Sequence, residues 1–178
     1  MKIKHGFTLI ELMLVIGLIM ILSVIGIGTY MQATVKSRDT QRKSNLDQMA
    51  KAIEAFYSDV GRYPHSDSQN NMYCAVRSGN SLTDVVCGDK LYLLSDGLAS
   101  EYINTPSDPT TGRTYVYLSS DGQSYSFYAA LENSNDRDLI KDGSGNVVVD
   151  PWGVNCGAVG ATVPCNYKVN ETGLVKSI

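Results

Sequence analysis

The sequence is short of positive charge. Its formal net charge is −3, and from Gly61 to the C-terminus eight Lys and Arg stand against thirteen Asp and Glu, a net of −5. An acidic domain offers no electrostatic footprint for a phosphate backbone, so general nucleic-acid binding is not expected. Histidine is nearly absent. Of the two, His5 lies in a cationic N-terminal stretch, and His65 follows Pro64 in a turn, where a solvated loop residue is the ordinary reading. The chain lacks Gly-x-Ser-x-Gly, a phosphate-cradling glycine loop and His-Glu-x-x-His. Its carboxylates fall in turns, where Asp is expected for backbone reasons. No active site is legible, and the chain reads as a non-enzyme.

The most telling scarcity is of charge between Phe7 and Tyr30, where Glu11 is the only charged side chain. As a helix this run would reach about 36 Å, enough for a hydrocarbon core of about 30 Å. Lys2 and Lys4 precede it and no further positive charge appears until Lys36, which places the N-terminus on the cytoplasmic side and the bulk of the chain outside. No Ala-x-Ala site follows Tyr30, so the apolar segment is expected to stay in the mature protein. A carboxylate four residues into such a helix costs a few kcal/mol; either it sits at the interface and snorkels to water, or it pairs with a positive charge. Nothing between Phe7 and Tyr30 supplies a positive charge. A free α-amino group could, and a rigid helix cannot bring its own terminus back to Glu11, so the partner would come from a second chain.

Gly6-Phe7-Thr8-Leu9-Ile10-Glu11-Leu12, set between a cationic leader and an apolar run, resembles the class III signal of type IV pilins and of the pseudopilins of type II secretion. The resemblance implies cleavage between Gly6 and Phe7 by a prepilin peptidase and N-methylation of Phe7. It implies that Glu11 neutralises the terminal amine of an adjacent subunit. It also implies partners: the chain itself in a homopolymeric filament, an assembly ATPase and a platform protein. The cytoplasmic membrane would hold the single-pass precursor, and the cell surface the assembled filament. Many type IV pilins kink this helix with a proline; here Gly17, Gly26 and Gly28 stand instead.

Beyond Tyr30 the pattern turns amphipathic. Leu46, Met49, Ala50, Ile53, Phe56, Tyr57 and Val60 recur at three- and four-residue steps, opposite Asp47, Lys51, Glu54, Ser58 and Asp59. Between them, residues 36–45 are polar all round, and Lys36, Arg38, Arg42 and Lys43 interleave only with Asp39; a solvated face is the expectation. Gly61 and Pro64 stop a helix of roughly 80 Å. Four segments follow: 1–6, a cleaved leader; 7–30, an apolar transmembrane and assembly half-helix; 31–60, an amphipathic half-helix; and 61–178, a globular head. The fold class is α+β and pilin-like, with the apolar half of the helix protruding and the amphipathic half packed on a small antiparallel sheet.

Within the head, residues 66–90 read as turn-rich and Leu98–Tyr102 as a short helix. Thr114–Leu118 and Ser124–Leu131 read as an antiparallel hairpin turning at Asp121-Gly122. Val147–Val149, Asn166–Val169 and Gly173–Ile178 are weaker strands. Four cysteines lack paired Cys-x-x-Cys zinc spacing. Two disulfides allow three pairings; local pairing, Cys74–Cys87 and Cys156–Cys165, is favoured because each would staple a loop without its own core. The Cys156–Cys165 loop resembles the C-terminal disulfide loop of pilins, whereas Gly61-Arg62-Tyr63-Pro64 and Asp150-Pro151-Trp152-Gly153 resemble pseudopilins. Pseudopilins similar to this chain bind calcium, which makes Asp136, Asp138 and Asp142 weak candidates; their spacing fails the EF-hand pattern, and the favoured reading is a solvated turn with no cofactor. The leading function is a structural subunit of a type IV pilus. The alternatives are a major pseudopilin of type II secretion and a membrane-anchored binding domain that never polymerises.

Overall fold

The computed structural model describes residues 6–176 and, at 25–28, the backbone alone. Lys2, Lys4 and His5 of the expected leader, and the end of the last expected strand at 177–178, lie outside the described residues. Two compact units divide the chain, residues 1–37 and residues 38–178. One helix, α1 (Leu9–Val60), contributes to both.

In the first unit α1 continues through Gly17, Gly26 and Gly28. Its large apolar side chains from Leu9 to Val24 are all exposed. This is the only helix among the described residues long and apolar enough to cross a membrane. Two of its hydroxyls fold back on the preceding turn: Ser23 Oγ donates to the Ile19 carbonyl at 2.8 Å and Thr34 Oγ1 to that of Tyr30 at 2.9 Å.

In the second unit the same helix has a face to bury. Leu46, Met49, Ile53 and Phe56, at steps of three and four, are at most 2% exposed and join Ala75, Leu91, Leu93, Tyr117, Phe127, Leu139 and Tyr167 in the main core. Val60 and Ala50 pack at its edge, while Tyr57 remains exposed. The helix ends where Gly61 takes φ +84° and donates its N–H to the Tyr57 carbonyl at 2.7 Å, a left-handed C-terminal cap that favours glycine.

The head holds two four-stranded sheets rather than one. The first comprises β1 (Tyr73–Ser78), β2 (Ser81–Val86), β3 (Lys90–Ser95) and β4 (Leu98–Asn104), in the order β2-β1-β3-β4. It is mixed, since β1 and β3 run parallel with Ala75 opposite Leu93. The turn-rich reading of residues 66–90 is corrected here: Gly79-Asn80, with Gly79 at φ +57°, closes a two-residue hairpin that pairs Ser78 with Ser81. The expected helix at Leu98–Tyr102 is also corrected, to strand β4. Asp96-Gly97, both at positive φ, form the primed two-residue turn that sends the chain back antiparallel, so Leu98 pairs with Ser95.

The second sheet, β5 (Val116–Leu118), β6 (Ser126–Ala129), β7 (Tyr167–Asn170) and β8 (Gly173–Leu174), is antiparallel in chain order. Its first turn is fixed by Asp121 Oδ1, which accepts the N–H groups of Gln123 and Ser124. Val147–Val149 does not form the expected strand. Val147 makes a single bridge to Lys141, and the left-handed Asp150 at φ +54° breaks the extension at once. Disulfides join Cys74 to Cys87 and Cys156 to Cys165. The second lies in a smaller core with Val116, Tyr128 and Ala130, against which Trp152 packs.

Candidate functional site: the helix N-terminus and a buried arginine cluster

The start of α1 is built by Thr8 and Glu11. The Thr8 backbone N–H and Oγ1–H both donate to Glu11 Oε2, at 2.8 and 2.7 Å, and the Glu11 N–H reaches back to Thr8 Oγ1 at 3.4 Å. This is a reciprocal capping box, with Thr8 at the N-cap and Glu11 at the third helical position. It satisfies donors that a helix start otherwise leaves open, and it holds the carboxylate near the positive end of the helix dipole. Both residues are exposed, as is Phe7 immediately before them. Among the described residues every bond to the Glu11 carboxylate goes to Oε2, and Oε1 is open to a further donor. Gly6 and Phe7, where the sequence places cleavage, precede the helix in non-helical backbone.

The second constellation lies where the second unit begins, in the polar stretch expected to be a solvated face. Arg42 is 0% exposed and Asp39 2%. The Arg42 guanidinium donates bidentately to Asp108, Nε to Oδ2 and Nη2 to Oδ1, each at 2.8 Å. It also reaches Asp39 Oδ1 at 2.7 Å, Thr110 Oγ1 at 2.8 Å and Glu132 Oε1 at 2.8 Å. Arg38 pairs with Glu132 from the outer side, and Asp39 accepts the backbone N–H groups of Glu132 and Asn133 at 2.9 and 2.8 Å. Three carboxylates thus surround one buried guanidinium, a geometry that suits the planar donor fork of arginine and not lysine. Burial alone pulls the Arg42 guanidinium down, and its hydrogen bonds to Asp108, Glu132 and Asp39 reverse that and hold it above its ordinary value. The bonds from Arg38, opposed by burial and joined by those from Arg42 and Thr110, bring the Glu132 carboxyl down to about 2.

Lys43 makes a parallel attachment one residue on. Its Nζ bonds Asp136 Oδ1 at 2.7 Å and Asp138 Oδ2 at 2.8 Å and lies 5.5 Å from the centre of the Tyr167 ring. The calcium candidates are thereby separated. Asp136 and Asp138 face an ammonium group, while Asp142 Oδ1 accepts the Ser144 and Asn146 N–H groups of its own turn. Among the described residues no group of three or more His, Cys, Asp and Glu stands so as to hold a metal ion. His65 is half-buried; its carbonyl accepts the Tyr73 N–H.

The family model for the prokaryotic N-terminal methylation motif matches residues 1–27. The chain carries the type IV pilin signal. The chain is similar to the type IV major pilin protein PilA of Myxococcus xanthus (strain DK1622), 39% identical over 77 residues that cover 43% of this chain and 34% of the relative. It is 31% identical over 85 residues to the fimbrial protein EcpC of Eikenella corrodens, covering 48% of this chain and 55% of that protein. The chain thus matches about a third and about half of the lengths of these curated relatives. No solved structure matches it. Within the pilin signal the structure brings Phe7, Thr8 and Glu11 together at one helix end. The sequence reading named Phe7 and Glu11 but gave Thr8 no role, although Thr-x-x-Glu ahead of an apolar run is the capping-box pattern. The buried cluster was missed because Asp108 and Glu132 lie 66 and 90 residues from Arg42; the i,i+3 pair Asp39–Arg42 was its only local trace.

Proposed function

We propose that the chain is a structural, non-enzymatic subunit of a type IV pilus. It enters the cytoplasmic membrane as a single-pass precursor, is cut between Gly6 and Phe7, is methylated on Phe7 and polymerises through the apolar half of α1. The supporting observation is one carboxylate, Glu11, on a helix whose large apolar side chains from Leu9 to Val24 are exposed throughout, within a prokaryotic N-terminal methylation motif. Such a surface is satisfied by lipid or by copies of itself. Glu11 Oε1 is the acceptor available to the Phe7 amine of a neighbouring copy, while Thr8 keeps Oε2. Cleavage leaves this arrangement intact, since the Thr8 N–H belongs to the Phe7–Thr8 peptide bond and survives on the mature side of the cut. The prepilin peptidase, assembly ATPase and platform protein follow from the pilin reading.

Intact mass spectrometry of protein sheared from cells, with electron microscopy of the same fraction, tests this. The expected result is filaments whose subunits begin at methylated Phe7. Dispersed membrane protein that retains Met1 would instead mark a tethered domain. A pseudopilus of type II secretion, favoured by Gly61-Arg62-Tyr63-Pro64, would appear as short filaments dependent on the secretion machinery.

A further inference from the structure

We propose that the head binds a neutral saccharide in a serine-lined groove between the segment after Pro64 and the β5–β6 turn. The groove is shallow and open to solvent, with a volume of about 530 Å³. Ser66, Ser68, Ser119, Ser120, Ser124 and Ser126 line it. Its walls are strapped together before any ligand arrives. The Ser66 N–H donates to the Ser119 carbonyl and the Ser119 N–H to Ser66 Oγ, both at 2.9 Å. Tyr117 OH donates to the Pro64 carbonyl at 2.7 Å, and the Tyr63 N–H to the Gly122 carbonyl at 2.9 Å. A groove fixed this way orders little on binding.

Its chemistry narrows the ligand. No Lys or Arg lines it, so it has no charge to offer a phosphate or carboxylate. Its one carboxylate, Asp67, is consumed internally: Oδ1 accepts the Gln69 and Asn71 N–H groups, and Oδ2 accepts Asn71 Nδ2. A cation therefore finds no open acidic ligand. The hydroxyls of Ser68, Ser120 and Ser126 make no hydrogen bond within the described residues. A hydroxyl both donates and accepts, as do the hydroxyls of a sugar. Leu118, partly buried, also lines the groove and offers apolar contact of the kind a pyranose C–H face takes. Free hydroxyls without free charge, beside an apolar side chain, match an uncharged polyol better than an ion or a lipid.

The test is saturation-transfer NMR on the full chain in a zwitterionic, sugar-free detergent, with glucose, galactose, mannose and N-acetylglucosamine, and with methyl phosphate, whose methyl protons report binding, as the charged control. Saturation transfer to at least one neutral sugar at about 10 mM is expected, with none to methyl phosphate. Ser68→Leu and Ser120→Leu alter exposed positions and fill the groove; each should weaken binding by about tenfold while the unfolding temperature stays unchanged. No transfer to any of the four sugars, or transfer that persists in both leucine variants, would overturn the proposal.

Discussion

A single buried guanidinium, that of Arg42 on α1, ties the helix to the loops of the second unit. Arg42 satisfies Asp39, Asp108 and Glu132 together, and removing it takes the ion pair from the buried Asp108 and Asp39 and leaves Glu132 to Arg38. Arg42→Met is therefore expected to destabilise the full chain by about 3–5 kcal/mol, read as a loss of denaturation midpoint. Arg42→Lys keeps the charge but loses the bidentate bond to Asp108 and should recover only part of that loss. The same cluster sets an acid limit. Glu132 is depressed to about 2 in the fold, below its unfolded value near 4.5, so its contribution is complete above pH 4.5 and drains away as the pH falls toward 2. Unfolding midpoints measured across that window should drop in the native chain. In Glu132→Gln they should be lower at neutral pH and fall less on acidification.

At the scale of elements, legibility followed locality. The amphipathic half of α1 was readable because Leu46, Met49, Ile53 and Phe56 repeat at helical steps and are the residues buried. Its end was readable because a left-handed cap calls for glycine at 61. The β5–β6 hairpin was readable from aromatic strands around Asp121-Gly122. Strand β4 was misread because Leu98-Ala99-Ser100-Glu101 has helix-compatible composition, while the deciding signal, Asp96-Gly97, precedes it. The parallel pairing of β1 with β3, and the assignment of strands to two sheets, depend on contacts that no local pattern records. Two expectations belong to this scale. Gly61→Ala forces a β-carbon into φ +84° and should cost about 1–2 kcal/mol, seen as a lowered thermal midpoint. Replacing Cys156 and Cys165 together with serine frees a loop of sequence separation 9 and leaves polar atoms in the smaller core; a loss of about 2–5 kcal/mol is expected in chemical denaturation under oxidising conditions.

For the whole molecule, the mean hydropathy of −0.10 averages two unlike populations, an apolar half-helix whose large side chains from Leu9 to Val24 are exposed and a polar head with ordinary cores. The pilin signal was legible because it is a contiguous run, Gly6 to Glu11, whose chemistry is local. What Glu11 meets outside its own chain belongs to the proposed filament. Among the described residues one of its oxygens is bonded and the other is open to a donor from another copy. The deciding measurement is a filament reconstruction at side-chain resolution, read at the distance between Glu11 and the nearest methylated Phe7 amine. A nitrogen within about 4 Å of Glu11 Oε1 and belonging to an adjacent subunit is expected, with Thr8 still on Oε2. A filament in which that amine lies beyond ion-pair reach of every Glu11 would contradict it.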